Sequence, residues 1–140
     1  MPLVQKNGQV VEVSADQFPQ MSLSELKSQK LQDLAARRYQ AEVGGTTLGN
    51  ALIATDRSTQ GKITAAYVKA SVDPTYAIDS WKSTDKTFSP LDAATIIAIA
   101  DVIEKHVQDC FSHEAVLTNQ VTAATTESEL DSVDIGVGWP

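Results

Sequence analysis

The chain is 140 residues long, which suits one domain of ordinary size. With 42% hydrophobic and 21% charged residues, it has the composition of a folded globular protein rather than a disordered one. Its net charge of −7 argues against nucleic-acid binding, which needs a basic face to displace counterions, and its eleven Lys and Arg are scattered.

The opening stretch, Met1 to Lys6, has neither an apolar signal core nor a small-residue cleavage site, so no secretory leader is expected. Asn7-Gly8 sits between Leu3-Val4-Gln5 and Val10-Val11-Glu12-Val13, a pattern that predicts a small hairpin. Phe18-Pro19 then breaks the chain, leaving residues 1–21 as an arm ahead of a single domain over 22–140.

Ser22 and Glu25 have capping-box spacing and open a helix over 22–43, stopped by Gly44-Gly45. Its apolar stripe is narrow, with Leu31, Leu34, Ala35 and Arg38 at helical spacing. Such a helix either packs on a sheet of its own domain or pairs with a partner helix. A hairpin over 46–55 turns at Gly49-Asn50, a pair suited to positive φ. Thr55-Asp56 caps a helix over 57–70 that places Ile63, Ala66, Tyr67 and Ala70 on one face, and Asp73-Pro74 ends it.

A second hairpin is expected over 77–88, turning at Thr84-Asp85, with Ile78, Ser80 and Lys82 on one face and Trp81 on the other. Ser89-Pro90 reads as a helix N-cap followed by proline at the first helical position. Helices over 90–133 follow, with a break near Phe111-Ser112. Ile96, Ile97, Ile99, Ala100, Val102, Ile103 and Val107 form the broadest apolar band in the chain. Thr95 and Asp101 interrupt that band, which falls short of the roughly 20 residues a membrane span requires. A short turn over 127–133 directs Leu130 inward, and residues 134–140 close the domain. The fold class is therefore α+β, with helices packed on short antiparallel hairpins and a helix-rich C-terminal half.

His106, Cys110 and His113 lie at i, i+4 and i+7, so the first and third are about 10.5 Å apart along a helix. One ion cannot easily hold all three, and the reading is a buried cysteine beside two partly exposed histidines, with no metal site. No glycine-rich nucleophile turn surrounds Cys110, and both histidines share its helix, so no catalytic residue is assigned. As the single cysteine, Cys110 also excludes an internal disulfide and fits a reducing compartment. Gly44 to Gly49 lacks the Gly-Lys-Ser/Thr ending of a phosphate loop, and the aspartates have no calcium-loop spacing, so no cofactor is expected.

Trp81 reads as a core anchor. In Gly136-Val137-Gly138-Trp139-Pro140, two glycines precede a large amphipathic ring that either closes over a hairpin of its own domain or lodges in a partner. The candidate partner-binding residues are Leu31, Leu34, Trp139 and Pro140.

An ordered series of residues runs through Arg38, Glu42, Gly44-Gly45, Gly49, Thr55-Asp56, Ile63, Pro74, Trp81-Lys82, Asp85 and Pro90-Leu91. It continues through His106, Cys110-Phe111, Glu114, Leu117 and Gly138-Trp139-Pro140. Over residues 28–140 the chain resembles a family of unknown-function domains encoded in tailed bacteriophages and prophages, among genes for tail fibres and tail-fibre assembly proteins. The resemblance implies a non-enzymatic structural or adaptor role, synthesis in the host cytoplasm and residence in the virion tail. It also implies a tail-fibre or baseplate protein as partner, and a homo-oligomer matched to fibre or baseplate symmetry. It carries over no catalytic residue. The segment ahead of it is read as the part that selects a particular partner. A fibre-assembly chaperone is the alternative; an enzyme acting on polysaccharide would call for paired carboxylates, and no pair is singled out by spacing.

Overall fold

The computed structural model describes the strands β1 (Leu3–Lys6) and β2 (Gln9–Glu12) and residues 20–140. The two strands pair antiparallel with Val4 opposite Val11, as the hairpin expectation requires. The expected Asn7-Gly8 turn and Phe18-Pro19 break lie outside the described residues.

From residue 20 onward the order is α1 (Leu23–Glu42), β3 (Thr46–Leu48), β4 (Ala51–Ile53), α2 (Arg57–Val72), β5 (Ala77–Lys82), β6 (Phe88–Asp92), α3 (Ala93–Ala123) and α4 (Glu127–Asp131). Among the described residues every sheet is a two-stranded antiparallel hairpin, so the fold is α+β. Helix starts are set locally. The Ser22 hydroxyl accepts from the Glu25 amide at 3.1 Å, and Asp56 accepts from the Thr59 amide at 3.1 Å. In the β3–β4 turn only Gly49 has positive φ, at 60°, so the turn is of the kind that needs glycine at its first central position alone.

Pro90 does not open a helix. It lies in β6, and α3 begins three residues later, capped by Asp92, whose carboxylate accepts from the Thr95 amide at 2.8 Å. Ile78 pairs with Leu91 and Trp81 with Ser89, so Asp79 and Ser80 together face Pro90 across a bulge. A bulge is where a strand tolerates a residue without an N–H. It also resets the alternation of β5: Ile78 and Trp81 both turn toward the core, where strict alternation would have set them on opposite faces. The β5–β6 turn centres on Thr84-Asp85 as expected, closed by the Lys86 amide donating to the Ser83 carbonyl at 2.9 Å; Lys86 follows at φ 67°, and Asp85 accepts from the Thr87 amide.

α3 is one unbroken helix of 31 residues, about 46 Å long, and the break expected near Phe111-Ser112 is absent. Ser112 is exposed, and the buried series Ile103, His106, Cys110, Leu117 and Val121 runs past it without losing helical phase. Two apolar clusters share this helix. The first joins its N-terminal half to Ile63, Ala66 and Ala70 of α2 and to Leu91, with Leu48, Ile53, Ile78 and Trp81 packed around it. Tyr67 stands outside that face, 40% exposed. The second cluster joins the C-terminal half to Leu34 of α1, Leu130 of α4 and Val133. α1 thus packs on a helix, not on a sheet. Its Lys27 and Lys30 ammonium groups donate to the carbonyls of Thr122 and Leu130, tying α1 to the C-terminal ends of α3 and α4.

Candidate functional site

Between the two clusters lies a polar belt at the C-terminal end of α1. Glu42 is 1% exposed there. Its Oε1 accepts from Arg38 Nη1 at 2.6 Å and Arg57 Nη2 at 2.9 Å; its Oε2 accepts from Arg57 Nε at 2.5 Å and Gln60 Nε2 at 3.0 Å. Burial alone would raise the Glu42 carboxyl. The bonds from Arg57 and Gln60, the Arg57 charge and the Arg38 bond outweigh burial and hold it below the usual range. The same pair raises Arg57. Thr55, fully buried, donates to the Glu42 carbonyl at 2.6 Å and accepts from the Gly45 amide at 2.8 Å, pinning the first hairpin to α1.

The belt continues outward through aromatic rings. The Arg38 guanidinium sits 4.3 Å from the Phe111 centroid and that of Arg57 5.5 Å from the Tyr39 centroid. Arg38 Nε has no hydrogen-bond partner and lies 3.6 Å from Glu114 Oε1, an ion-pair distance too long for a hydrogen bond.

His106 is buried rather than partly exposed, and its Nε2 lies 2.8 Å from the Ala41 carbonyl. A carbonyl can only accept, so this nitrogen carries the proton. Cys110 Sγ lies 3.8 Å from the same nitrogen. Burial, then the charges of Glu42 and Asp109, raise the Cys110 thiol, which keeps it in the unreactive protonated form.

His113 points elsewhere. Its Nε2 bonds the Val137 carbonyl at 2.8 Å, and its ring meets Trp139 edge-on with centroids 4.5 Å apart. Trp139 donates to the Ile135 carbonyl at 2.9 Å and lies under Arg37 at 5.4 Å. A Cβ on Gly138, which has φ 85°, would come within 2.7 Å of the His113 ring. Trp139 therefore closes onto α1 and α3, not onto a hairpin.

Of the four residues expected to bind a partner, Leu34 is 1% exposed inside the second cluster, Leu31 and Trp139 pack against that cluster, and Pro140 is exposed. Three of the four thus meet in one apolar cluster inside the domain, and Pro140 is left outside it. The Glu42 node carries little mark in the sequence. Arg38 and Glu42 at i, i+4 are a visible pair, but Arg57 and Gln60 reach it from another helix with no local mark. Among the described residues, no three His, Cys, Asp or Glu side chains group as metal ligands.

Between the β3–β4 and β5–β6 hairpins runs a groove of about 510 Å³, floored by Leu48, Ile53, Trp81, Leu91 and Ile99. Leu52, 68% exposed, stands on its wall. The one carboxylate lining it, Asp85, is bonded to the Thr87 amide and hydroxyl.

These features define a helical domain bearing small hairpins, in which the groups best suited to acid–base or nucleophilic work bond other parts of the chain. The chain belongs to the family described as a domain of unknown function, DUF4376, whose model matches residues 25–135. No curated protein and no solved structure matches it. No helix among the described residues is long and apolar enough to cross a membrane.

Proposed function

We propose that this chain is a non-enzymatic component of a bacteriophage tail, a structural or adaptor protein that binds the tail fibre or baseplate through protein–protein contacts. The observation that favours binding over catalysis is the inward engagement of Glu42, His106, Cys110 and His113. Glu42, His106 and His113 are each tied to backbone or to a side chain of another segment, and Cys110 is buried beside His106 on its own helix, so these groups serve to hold the domain together. The tail location rests on the resemblance set out above.

A second reading, a fibre-assembly chaperone, draws support from the exposed Leu52, Val72 and Phe88, which suit transient contact with a folding partner. Mass spectrometry of purified particles of the phage or prophage carrying the gene separates the two. Recovery at fixed stoichiometry to the fibre supports the structural role. Absence from particles, with co-purification of the fibre protein from infected cells, supports the chaperone. Absence from both refutes the tail assignment.

A further inference from the structure

α2 has two apolar faces, and the fold uses only one. Ile63, Ala66 and Ala70 are buried against α3. Gly61, Ala65, Val68 and Val72 recur at spacings of four, three and four, and at about 100° per residue they fall within about 60° of one another, roughly opposite the buried three. All four are exposed, Val68 by 60% and Val72 by 82%. A four-three-four apolar spacing is the seam of a paired helix. A seam of this kind on a solvated face costs hydration without return unless something covers it.

Gly61 strengthens the point. It lies inside α2 with helical backbone, and a Cβ there would meet nothing within 4 Å. Glycine at an exposed helix interior costs about 1 kcal/mol relative to alanine, and nothing among the described residues requires it. A missing side chain at one end of an apolar seam lets another backbone approach closely.

Charge selects the occupant. In a chain of net charge −7, α2 carries Arg57, Lys62 and Lys69 and no acidic residue. Arg57 is bound to Glu42, whereas Lys62 and Lys69 stand along one flank of the seam, with Thr64 and Ser71 along the other. Lys69 also lies 5.7 Å from the Tyr76 ring centroid. The carboxylates at the two ends of the helix, Asp56 and Asp73, are held by Thr59 and Thr75, and the Lys62 charge also acts on Asp56. A second copy of α2 would bring lysines toward lysines. We infer that the Gly61–Val72 face of α2 docks an acidic amphipathic helix of a partner protein, with carboxylates beside Lys62 and Lys69 and small or aliphatic side chains against Val68 and Val72. This rests on the reading of the chain as a protein-binding domain, but not on the tail assignment.

The test uses the purified 140-residue chain and a synthetic helix of about three heptads, with leucine at the seam positions and glutamate on both flanks. Amide chemical shifts of the isotope-labelled protein are followed as the peptide is added. The expected result is saturable change confined to residues 57–73. Lys62→Glu with Lys69→Glu should weaken binding about tenfold, because two attractions become repulsions. A peptide with lysine flanks should bind at least as weakly. Val68→Gln should weaken binding without unfolding the protein, since Val68 is already mostly in water. Gly61→Gln should raise thermal stability and lower peptide affinity together, a pairing that a purely structural glycine would not produce. No shift at about 1 mM peptide, or shifts that map elsewhere, overturns the proposal. So does concentration-dependent self-association of the free protein that Val72→Glu abolishes, because the occupant would then be a second copy. Particle proteomics can fail while this experiment succeeds, and the reverse, so the two readings fall separately.

Discussion

Glu42→Gln isolates what the buried carboxylate does. The replacement has nearly the same shape, but one end of an amide is a donor, and both ends of Glu42 now accept from donors: Arg38 and Arg57 at one oxygen, Arg57 and Gln60 at the other. Whichever way the amide turns, at least one donor loses its acceptor, and the buried flank of Arg38 loses its counter-charge. Breaking a buried pair costs about 3–5 kcal/mol, and the exposure of Arg57 to water places this case near 3 kcal/mol. For a domain of this size that is a fall of about 10 °C in melting temperature, read by circular dichroism at neutral pH. The acid response supplies a second arm. Folding lowers the Glu42 carboxyl, so its contribution is whole above the ordinary glutamate value near 4.3 and is lost as pH falls through the lower native value. The gap between wild type and variant should therefore close below about pH 4. A difference under about 0.5 kcal/mol at neutral pH, or a gap that widens in acid, would refute this account of the node.

Gly138→Ala should release the closing segment, because it strains a left-handed residue and drives a methyl group into His113. The readout is loss of exchange protection at the Trp139 indole N–H, and unchanged protection would show that the segment is held some other way. Cys110 should resist a thiol reagent in the native protein and react at the unfolding rate in urea; rapid native labelling would contradict its burial.

Local hydrogen bonds were legible in the sequence. Ser22 and Asp56 bond amides three residues on, and Gly49 answers a local backbone need, so the starts of α1 and α2 and the first hairpin turn could be read from short windows. The start of α3 could not. Ser89-Pro90 and Asp92 both make plausible openings, and the decision lies across the hairpin, where the bulge opposite Pro90 lets β6 run on to Asp92. The same bulge set the facing of Trp81. Leu34 and Trp139 stand out in the letters as candidates for partner contact, but Leu34 is covered by α3 and α4 and Trp139 by Arg37 and His113, all far from them along the chain. On α2 the outward seam was present in the letters all along. One good inward face is enough to account for a helix, and only the exposure of Val68 and Val72 shows that the other face lacks a cover.

The length of α3 has a consequence for how the domain comes apart. Because the two apolar clusters are walls of the same rod, neither can melt without stripping partners from a helix the other relies on. The belt of Glu42, His106 and Cys110 lies at the waist of that rod and couples the halves further. The domain should therefore fold as one cooperative unit, and a load applied at the hairpin end travels along a continuous hydrogen-bonded strut to the end where Trp139 is seated.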